Sequence, residues 1–290
     1  MRVFELKAEV MLGAVAAIDD LLAEHEEQRL MVLEDKPSGR AWLTGYYESR
    51  DDADAAWRIF RPLIDPLWLV SEATFGELAD KDWKESYKEH FKAWRFGPLH
   101  WVPIWEREAF HLPTGEAVLW LDPGMAFGTG NHETTRLVVE RLVNLATDRG
   151  PRGQVIDAGC GSGILALSAA KLGYGHVAAF DNDPLAVEVS WQNASLNGLS
   201  GSVDFYLGDL VTGLAGRQAE VVLANIQADI LTRFARELIA AVAPGGVLIL
   251  SGILANELPQ VRQAFTALAE GWNFDSRALG EWSDLVLARP

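Results

Sequence analysis

The feature that most constrains this chain is an alternation of short apolar runs with segments of helical spacing, which begins at Gln154. The runs Gln154–Ala158, His176–Phe180 and Glu220–Asn225 have the length and apolar character of buried β-strands. Buried strands separated by helices are typical of a doubly wound, mostly parallel sheet. The sequence therefore predicts an α/β fold built on such a sheet, with a smaller domain before it.

The chain upstream of this sheet divides into two further parts. Residues 1–65 show strand and helix patterns in the order βαββα, which predicts a small α+β domain. Residues 66–120 are rich in tryptophan and predict a linker and lid region ahead of a domain at 121–290 that holds the sheet. Four aromatic residues here have helical spacing: Trp83, Tyr87, Phe91 and Trp94. A helix packed on a core is the favoured interpretation, and a substrate wall is the alternative.

The net charge limits the choice of partner. The chain has 25 Lys and Arg against 41 Asp and Glu, which gives a formal charge of -16. Because so acidic a surface repels phosphate backbones, direct binding to nucleic acid is not expected, whereas a basic protein would be attracted. The alternative is that the acidic residues serve only solubility.

Cysteine usage and the first residues of the chain bear on location. Cys160 is the one cysteine, which excludes an internal disulfide and a cysteine-rich zinc site. The first twenty residues contain four acidic side chains and lack the pattern of a signal peptide. The apolar run Val10–Ile18 is too short to span a membrane. We therefore expect a cytoplasmic, monomeric protein that does not bind membranes.

The strongest local signal is the turn that follows the first predicted strand of the sheet. Asp157 ends the strand, and Gly159 and Gly161 begin a G-x-G-x-G turn that opens into a helix. A dinucleotide site needs G-x-G-x-x-G, but Ile164 holds the place of the third glycine. An acidic residue before the turn also suits a cationic ligand better than a diphosphate. The turn therefore favours S-adenosylmethionine over NAD, and a purely structural turn is the remaining alternative.

Acidic residues also follow the next two predicted strands. Asp181 can accept hydrogen bonds from both hydroxyls of a ribose. Asp183 and Pro184 have the types that begin a helix. Asp209 is placed to accept a hydrogen bond from an adenine amine, or else it is a turn residue. We predict that Asp181 and Asp209 belong to the cofactor site.

An amide follows the fourth predicted strand. Asn225 would lie above the same crevice, where its carbonyl can accept a hydrogen bond from an attacking amine. The backbone carbonyl of Ile226 would accept a second one. We predict that these two residues orient the nucleophile, and helix capping is the alternative for Asn225.

Residues 122–135 form a predicted loop rich in Gly, Thr and Pro that leads into a helix from about Thr135. Such a loop should cover a ligand, and we predict cofactor contacts from five of its residues: Phe127, Gly128, Thr129, Thr134 and Thr135. His132 lies beside Glu133, but the histidines lack the spacing of metal ligands. No metal site is therefore predicted.

Several motifs together resemble one family. The loop D-P-G-M-A-F-G-T-G-x-H-x-T-T resembles the signature of the bacterial ribosomal-protein L-eleven methyltransferase family. Further stretches agree with that family in the same order along the chain, at residues 82–84, 96–97, 101–105, 157–165, 224–226 and 250–254. The resemblance covers roughly residues 80–255, and the long loop is its most specific part.

The resemblance implies a seven-stranded class I methyltransferase domain behind a small N-terminal substrate-recognition domain. Members of the family use S-adenosylmethionine to methylate lysine side chains and the N-terminal α-amine of one large-subunit ribosomal protein. The family's cofactor-binding positions correspond here to Thr135, Gly159, Asp181 and Asn225. Three alternatives stay open: a methyltransferase for another protein or a small amine, a binding module without turnover, and a dinucleotide oxidoreductase.

Overall fold

The computed structural model describes residues 3–24, 30–35, 39–47, 49–78, 93–122 and 133–290. The chain divides into two compact units, residues 1–90 and 91–290. No helix in the described part of the chain is both long enough and apolar enough to cross a membrane.

The first unit is a four-stranded antiparallel sheet with two helices. Its elements are β1 (Val3–Val10), α1 (Val15–Glu24), β2 (Leu30–Asp35), β3 (Arg40–Tyr47), α2 (Arg50–Phe60) and β4 (Thr74–Leu78). The strands lie in the order β2-β3-β1-β4. Leu6, Ile18, Leu43 and Phe60 are buried in one core between the sheet and the helices. The predicted βαββα order is therefore present.

The fourth strand moves the boundary of this unit beyond residue 65. β4 pairs with β1 along its whole length, from Lys7 opposite Thr74 to Val3 opposite Leu78. The stretch at 66–120 accordingly does not form one separate region, since β4 belongs to the first unit and residues from 91 onward belong to the second. The strand is hard to predict because its sequence, T-F-G-E-L, lacks a clear alternation of apolar and polar residues.

The second unit begins with a small sheet and continues into the large one. The small sheet contains β5 (Trp94–Phe96), β6 (Leu99–Pro103) and β7 (Ala117–Leu121). The further elements are α3 (Glu133–Arg149), β8 (Gln154–Ala158), α4 (Ile164–Lys171), β9 (His176–Asp181), α5 (Pro184–Leu196), β10 (Val203–Leu207), β11 (Ala219–Asn225), α6 (Ala228–Arg233), α7 (Ala235–Ala240), β12 (Val242–Leu254), α8 (Leu258–Thr266), β13 (Asn273–Asp275), β14 (Ala278–Leu279) and β15 (Trp282–Ala288).

The large sheet confirms the predicted doubly wound architecture. Its strands lie in the order β10-β9-β8-β11-β12-β15-β13, and β14 adds to β15. β8 to β12 run parallel, and β15 runs antiparallel to its neighbours. Along β8, Val155 packs into one core with helices α3 and α4, whereas Ile156 packs into the other with α6 to α8. Burial of both sheet faces explains the continuous apolar runs in the sequence.

Trp101 of the predicted lid region is a core residue. It is fully buried, contacts Phe96 edge to face, and donates a hydrogen bond from Nε1 to Ser168 Oγ at 2.9 Å. Trp94, the described member of the predicted helical stripe, lies in strand β5 and not in a helix, and it packs against the same core. Trp83, Tyr87 and Phe91 of the predicted stripe lie outside the described residues.

Helix α3, which begins beside the glycine turn, is fixed by a buried carboxylate on β15. Asp284 is fully buried and accepts hydrogen bonds from Arg141 Nε at 2.7 Å and Arg277 Nε at 3.2 Å. Arg277 Nη2 also donates to the carbonyl of Leu137 at 3.1 Å. One carboxylate therefore ties the middle of α3 to the last strands of the sheet.

Replacing Asp284 with Ala should strongly destabilise the second unit. The change leaves Arg141, of which only 15% is exposed, without its buried partner, and losing one member of such a pair costs about 3–5 kcal/mol. Chemical denaturation gives the change in the free energy of unfolding. The control is Asp275→Ala, which removes a carboxylate that is 66% exposed from the same arginine and should cost less than about 1 kcal/mol. Equal costs would contradict this account of α3.

Candidate active site

The carboxyl ends of β8, β9 and β11 border a cavity of about 500 Å³. The strand order reverses at β8, because β9 lies on one side of it and β11 on the other. Open α/β sheets bind their ligands in the crevice at such a reversal. The lining residues are Gly159, Phe180, Asp181, Asn182, Gly208, Asp209, Leu210, Ile226, Gln227, Ile230, Arg233 and Phe234.

The glycine turn after β8 forms the floor of this cavity. The amides of Gly159 and Cys160 both donate to the carbonyl of Phe180 at 2.9 Å, which draws the turn toward β9. Gly159 has a φ of 75°, and a Cβ at this position would lie 2.6 Å from Cγ2 of Ile226. Only glycine therefore fits, because both the backbone conformation and the close side chain exclude a larger residue.

Two side chains of α5 hold the outer part of the turn, and the sequence analysis missed both. Ser190 Oγ donates to the carbonyl of Gly161 at 2.9 Å, and Asn193 Nδ2 donates to the carbonyl of Ser162 at 2.9 Å. The one available signal was their spacing of three residues, which places two polar groups on one face of a helix.

Asp181 lines the cavity and also organises the turn. Its Oδ2 accepts from the amide of Gly161 at 2.9 Å, and its Oδ1 accepts from the amide of Asp183 at 3.1 Å. Each carboxylate oxygen keeps a further lone pair that can accept from a ligand hydroxyl. The predicted ligand contact at Gly161 cannot use its amide in this arrangement, since the amide is engaged by Asp181. Asp183 begins α5 as predicted and accepts from the amide of Leu185 at 2.8 Å.

Asp157 lies fully buried and is not among the residues that line the cavity. Its Oδ2 accepts from the amide of Ala166 at 3.0 Å in the first turn of α4, while Oδ1 has no hydrogen-bond partner among the described residues. Burial, with a smaller contribution from the charge of Asp181, raises the pKa of Asp157 to about 7. The carboxyl group of Asp157 therefore loses its proton at a lower pH in the unfolded chain than in the folded protein. As a result, the free energy of unfolding falls as the pH rises from about 4 to about 7.

Asp209 lines the cavity from a tight turn after β10. Its Oδ1 accepts from the amide of Val211 at 2.9 Å and from the amide and hydroxyl of Thr212 at 2.7 and 2.8 Å. The hydrogen bonds from Thr212 are the main reason why the pKa of Asp209 is lowered. The turn role that was the alternative is thus present, and a contact with adenine stays a prediction.

Asn225 and Thr135 meet at the end of β11. Nδ2 of Asn225 donates to Oγ1 of Thr135 at 3.3 Å, and Thr135 is buried in the first turn of α3. In this arrangement the amide nitrogen of Asn225 faces α3, and its carbonyl oxygen lies on the other side of the amide.

One wall of the cavity comes from α6 and was not predicted. Gln227, Ile230, Arg233 and Phe234 form this wall, and Ile226 lies between it and the glycine turn. Ile230 and Phe234 are spaced by four residues within a predicted helix, which was the available signal for a shared face. Apolar spacing of this kind does not distinguish a ligand wall from a core contact.

The structure places four of the predicted site residues in the lining of this cavity. Gly159, Asp181, Asp209 and Ile226 line the cavity, and Asn225 contacts Thr135 at the end of β11. The other predicted cofactor residues are differently placed: Thr134 is buried in α3, Gly161 lies in the turn, Asp157 is buried at the end of β8, and Phe127, Gly128 and Thr129 lie outside the described residues.

These groups fit S-adenosylmethionine. The carboxylate of Asp181 can accept from two hydroxyls, and the apolar side chains of Ile226, Ile230 and Phe234 can pack against an adenine ring. The described residues contain no group of three or more His, Cys, Asp or Glu side chains placed to hold a metal ion.

Comparison with known proteins gives consistent results. The family model described as ribosomal protein L11 methyltransferase (PrmA) matches residues 7–290. A ribosomal protein L11 methyltransferase of Syntrophotalea carbinolica is 44% identical over 232 residues, which cover 79% of this chain and 73% of that protein. One from Pelobacter propionicus is 40% identical over 257 residues, which cover 85% of this chain and 81% of that protein.

A solved structure supports the same assignment. The crystal structure of a ribosomal protein L11 methylase from Lactobacillus delbrueckii subsp. bulgaricus superposes with a TM-score of 0.61 and 30% identity. The match covers 69% of this chain and 99% of that one. The chain therefore belongs to the ribosomal protein L11 methyltransferase family and is an S-adenosylmethionine-dependent methyltransferase.

Proposed function

We propose that this enzyme methylates lysine side chains and the N-terminal α-amine of ribosomal protein L11. The observation that carries the proposal is the crevice at the ends of β8, β9 and β11, where Asn225 presents an amide carbonyl, in a chain that matches the family model over residues 7–290. The formal charge of -16 supports it, because ribosomal proteins are usually basic and an acidic enzyme attracts them. Action as a monomer in the cytoplasm stays a prediction.

The proposed substrate can be tested directly. The purified enzyme is incubated with methyl-labelled S-adenosylmethionine and the dissociated proteins of a large ribosomal subunit, and the labelled bands are identified by mass spectrometry. We expect label on ribosomal protein L11, at lysines and at the N-terminal amine. Label confined to a different protein would refute the substrate, and transfer to small amines alone would favour a small-molecule enzyme.

We propose that the cofactor is held by the residues that surround the cavity. Asp181 binds the ribose hydroxyls, Asp209 lies at the adenine end, and Gly159 lets the methionine part approach the backbone of the turn. The bound cofactor supplies an electrophilic methyl group on a sulfonium. Phe127, Gly128, Thr129 and Thr134 are proposed as further cofactor contacts from the loop.

The site has to hold the amine of the substrate in its neutral form beside that methyl group. A free lysine has a pKa of about 10.4, so holding it neutral at pH 7 costs roughly 4–5 kcal/mol. The crevice meets this cost by desolvation and orientation. Oδ1 of Asn225 and the carbonyl of Ile226 accept the hydrogens of the neutral amine, and Thr135 keeps the amide of Asn225 turned the right way.

Replacing Asp181 with Ala should weaken cofactor binding by roughly 1.5–3 kcal/mol, since charge-assisted hydrogen bonds to the ribose are lost. Calorimetry with S-adenosylmethionine measures the change in Kd. The control is Asp183→Ser, which removes a nearby charge while keeping a side chain that caps α5. Unchanged affinity in Asp181→Ala, or an equal loss in the control, would contradict the ribose contact.

Methyl transfer should become faster as the pH rises toward the pKa of the substrate amine, because the neutral fraction of the amine grows. Asn225→Ala should lower kcat substantially, since one of the two acceptors for the amine is removed. A pH–rate profile of both enzymes under saturating cofactor gives the measurement. His132→Ala should keep the alkaline rise. If that rise disappears in His132→Ala, the histidine is the general base and orientation alone is not the mechanism.

We propose that the first unit recognises the protein substrate, because every predicted cofactor residue lies after residue 120. A protein that lacks residues 1–90 should bind S-adenosylmethionine with the affinity of the full chain and fail to methylate intact ribosomal protein L11. Calorimetry and the labelling assay provide the two readouts. Efficient methylation by the shortened protein would place recognition in the second unit instead.

A further inference from the structure

Ile226 is enclosed on two sides by glycines that come from the strands flanking β11. β8 and β12 both pair with β11 in parallel, and Gly159 follows β8 while Gly252 lies within β12. Both glycines have positive φ angles, 75° at Gly159 and 82° at Gly252. The residue proposed to accept a hydrogen from the substrate amine is therefore in direct contact with two positions that carry no side chain.

Gly252 contacts the backbone of Ile226. A Cβ built on Gly252 would overlap the carbonyl oxygen of Ile226 and lie 2.8 Å from its carbonyl carbon and 3.1 Å from its nitrogen. Backbone atoms this close cannot be moved aside in the way that a flexible side chain can. The pairing of β12 with β15 is also irregular between Leu250 and Ile253, the segment that contains Gly252.

Gly159 contacts the side chain of the same residue. A Cβ built on Gly159 would lie 2.6 Å from Cγ2 of Ile226. The two glycines thus fix different parts of Ile226, since one adjoins its carbonyl and the other its branched side chain. Asn225, which precedes Ile226, is fixed in turn by its hydrogen bond to Thr135.

We propose that Gly252 and Gly159 are positioning residues for methyl transfer, which act by fixing the carbonyl and the side chain of Ile226. The inference rests on the proposed role of the Ile226 carbonyl as an acceptor for the substrate amine. A displacement of about 1 Å in such a group is enough to lower a rate by roughly 100-fold. Gly252 does not line the cofactor cavity, so its contact with Ile226 should determine turnover more strongly than cofactor affinity.

The first test compares Gly252→Ala with Gly245→Ala. Gly245 lies in the same strand with a φ of 74°, but a Cβ there would meet no atom within 4 Å, so this control carries only the backbone strain. In Gly252→Ala we expect kcat to fall at least 100-fold while the Kd for S-adenosylmethionine stays within threefold. Gly245→Ala should keep kcat within threefold of the wild type. Equal kcat values in the two variants would overturn the proposal.

A second test separates contact with the side chain from contact with the backbone. Ile226→Ala removes Cγ2, so it should relieve the effect of Gly159→Ala but not that of Gly252→Ala. Under saturating S-adenosylmethionine, the factor by which Gly159→Ala lowers kcat should be at least tenfold larger in the wild-type background than in the Ile226→Ala background, where only the backbone strain at Gly159 remains. The same loss in both backgrounds would overturn the proposal. This comparison of Gly159 and Ile226 variants also tests the proposal if Gly252→Ala does not fold.

A spectroscopic readout keeps the inference independent of the substrate. Ile226-Gln227 is the one Ile-Gln pair in the chain, so labelling Ile with ¹³C at the carbonyl and Gln with ¹⁵N gives a single cross-peak for this peptide. The cross-peak should shift in Gly252→Ala and stay in place in Gly245→Ala. If it moves equally in both, the proposal fails. If the wild type does not methylate ribosomal protein L11, the proposed function fails, while this cross-peak still tests the contact.

Discussion

The arrangement of the site depends on burial of the large sheet on both faces. Val155 and Ile156 are neighbours in β8, yet they belong to different hydrophobic cores on opposite sides of the sheet. Packing on both sides fixes the parallel strands in register, so that their carboxyl ends finish at one edge. The reversal of strand order at β8 then leaves a crevice there, and the residues with chemical roles need only occupy the ends of the strands.

At this edge a few polar groups each have two tasks. Asp181 fixes the glycine turn through the amide of Gly161 and still offers lone pairs to the cavity. Asn225 contacts Thr135 through its nitrogen, and its carbonyl oxygen is the acceptor that we propose for the substrate amine. Because the protein's own hydrogen bonds already orient these groups, little reorganisation is required when a ligand binds.

The sequence predicted what depends on local pattern. Buried strands, the cap at Asp183 and the residues that end each strand follow from apolar runs and residue types, and the structure contains them. Contacts between distant segments could not be predicted in this way. Asp157 was predicted to suit a cationic ligand, but in the structure its Oδ2 accepts from the amide of Ala166 in the first turn of α4, and the residue does not line the cavity.

Two further differences have the same origin. The wall from α6 and the contacts of Ser190 and Asn193 with the turn depend on how helices pack, which apolar spacing does not specify. The edge of the sheet likewise contains two short strands, β13 and β14, and between them Arg277 donates its amide to Asp284 of β15 at 2.6 Å. In each case the contact joins different elements, which a local pattern does not specify.

The carboxylate of Asp284 has a consequence for how the enzyme matures during translation. Arg141 on α3 is synthesised 143 residues before Asp284, the buried group that neutralises it. Nascent chains fold domain by domain as they emerge, so the buried tie between α3 and the sheet forms only after β15 has been synthesised. Since Thr135 lies on the same helix, its contact with Asn225 becomes secure only at that stage. The ribosome therefore releases a fully assembled site late, and an incomplete chain would lack the helix anchor that this site requires.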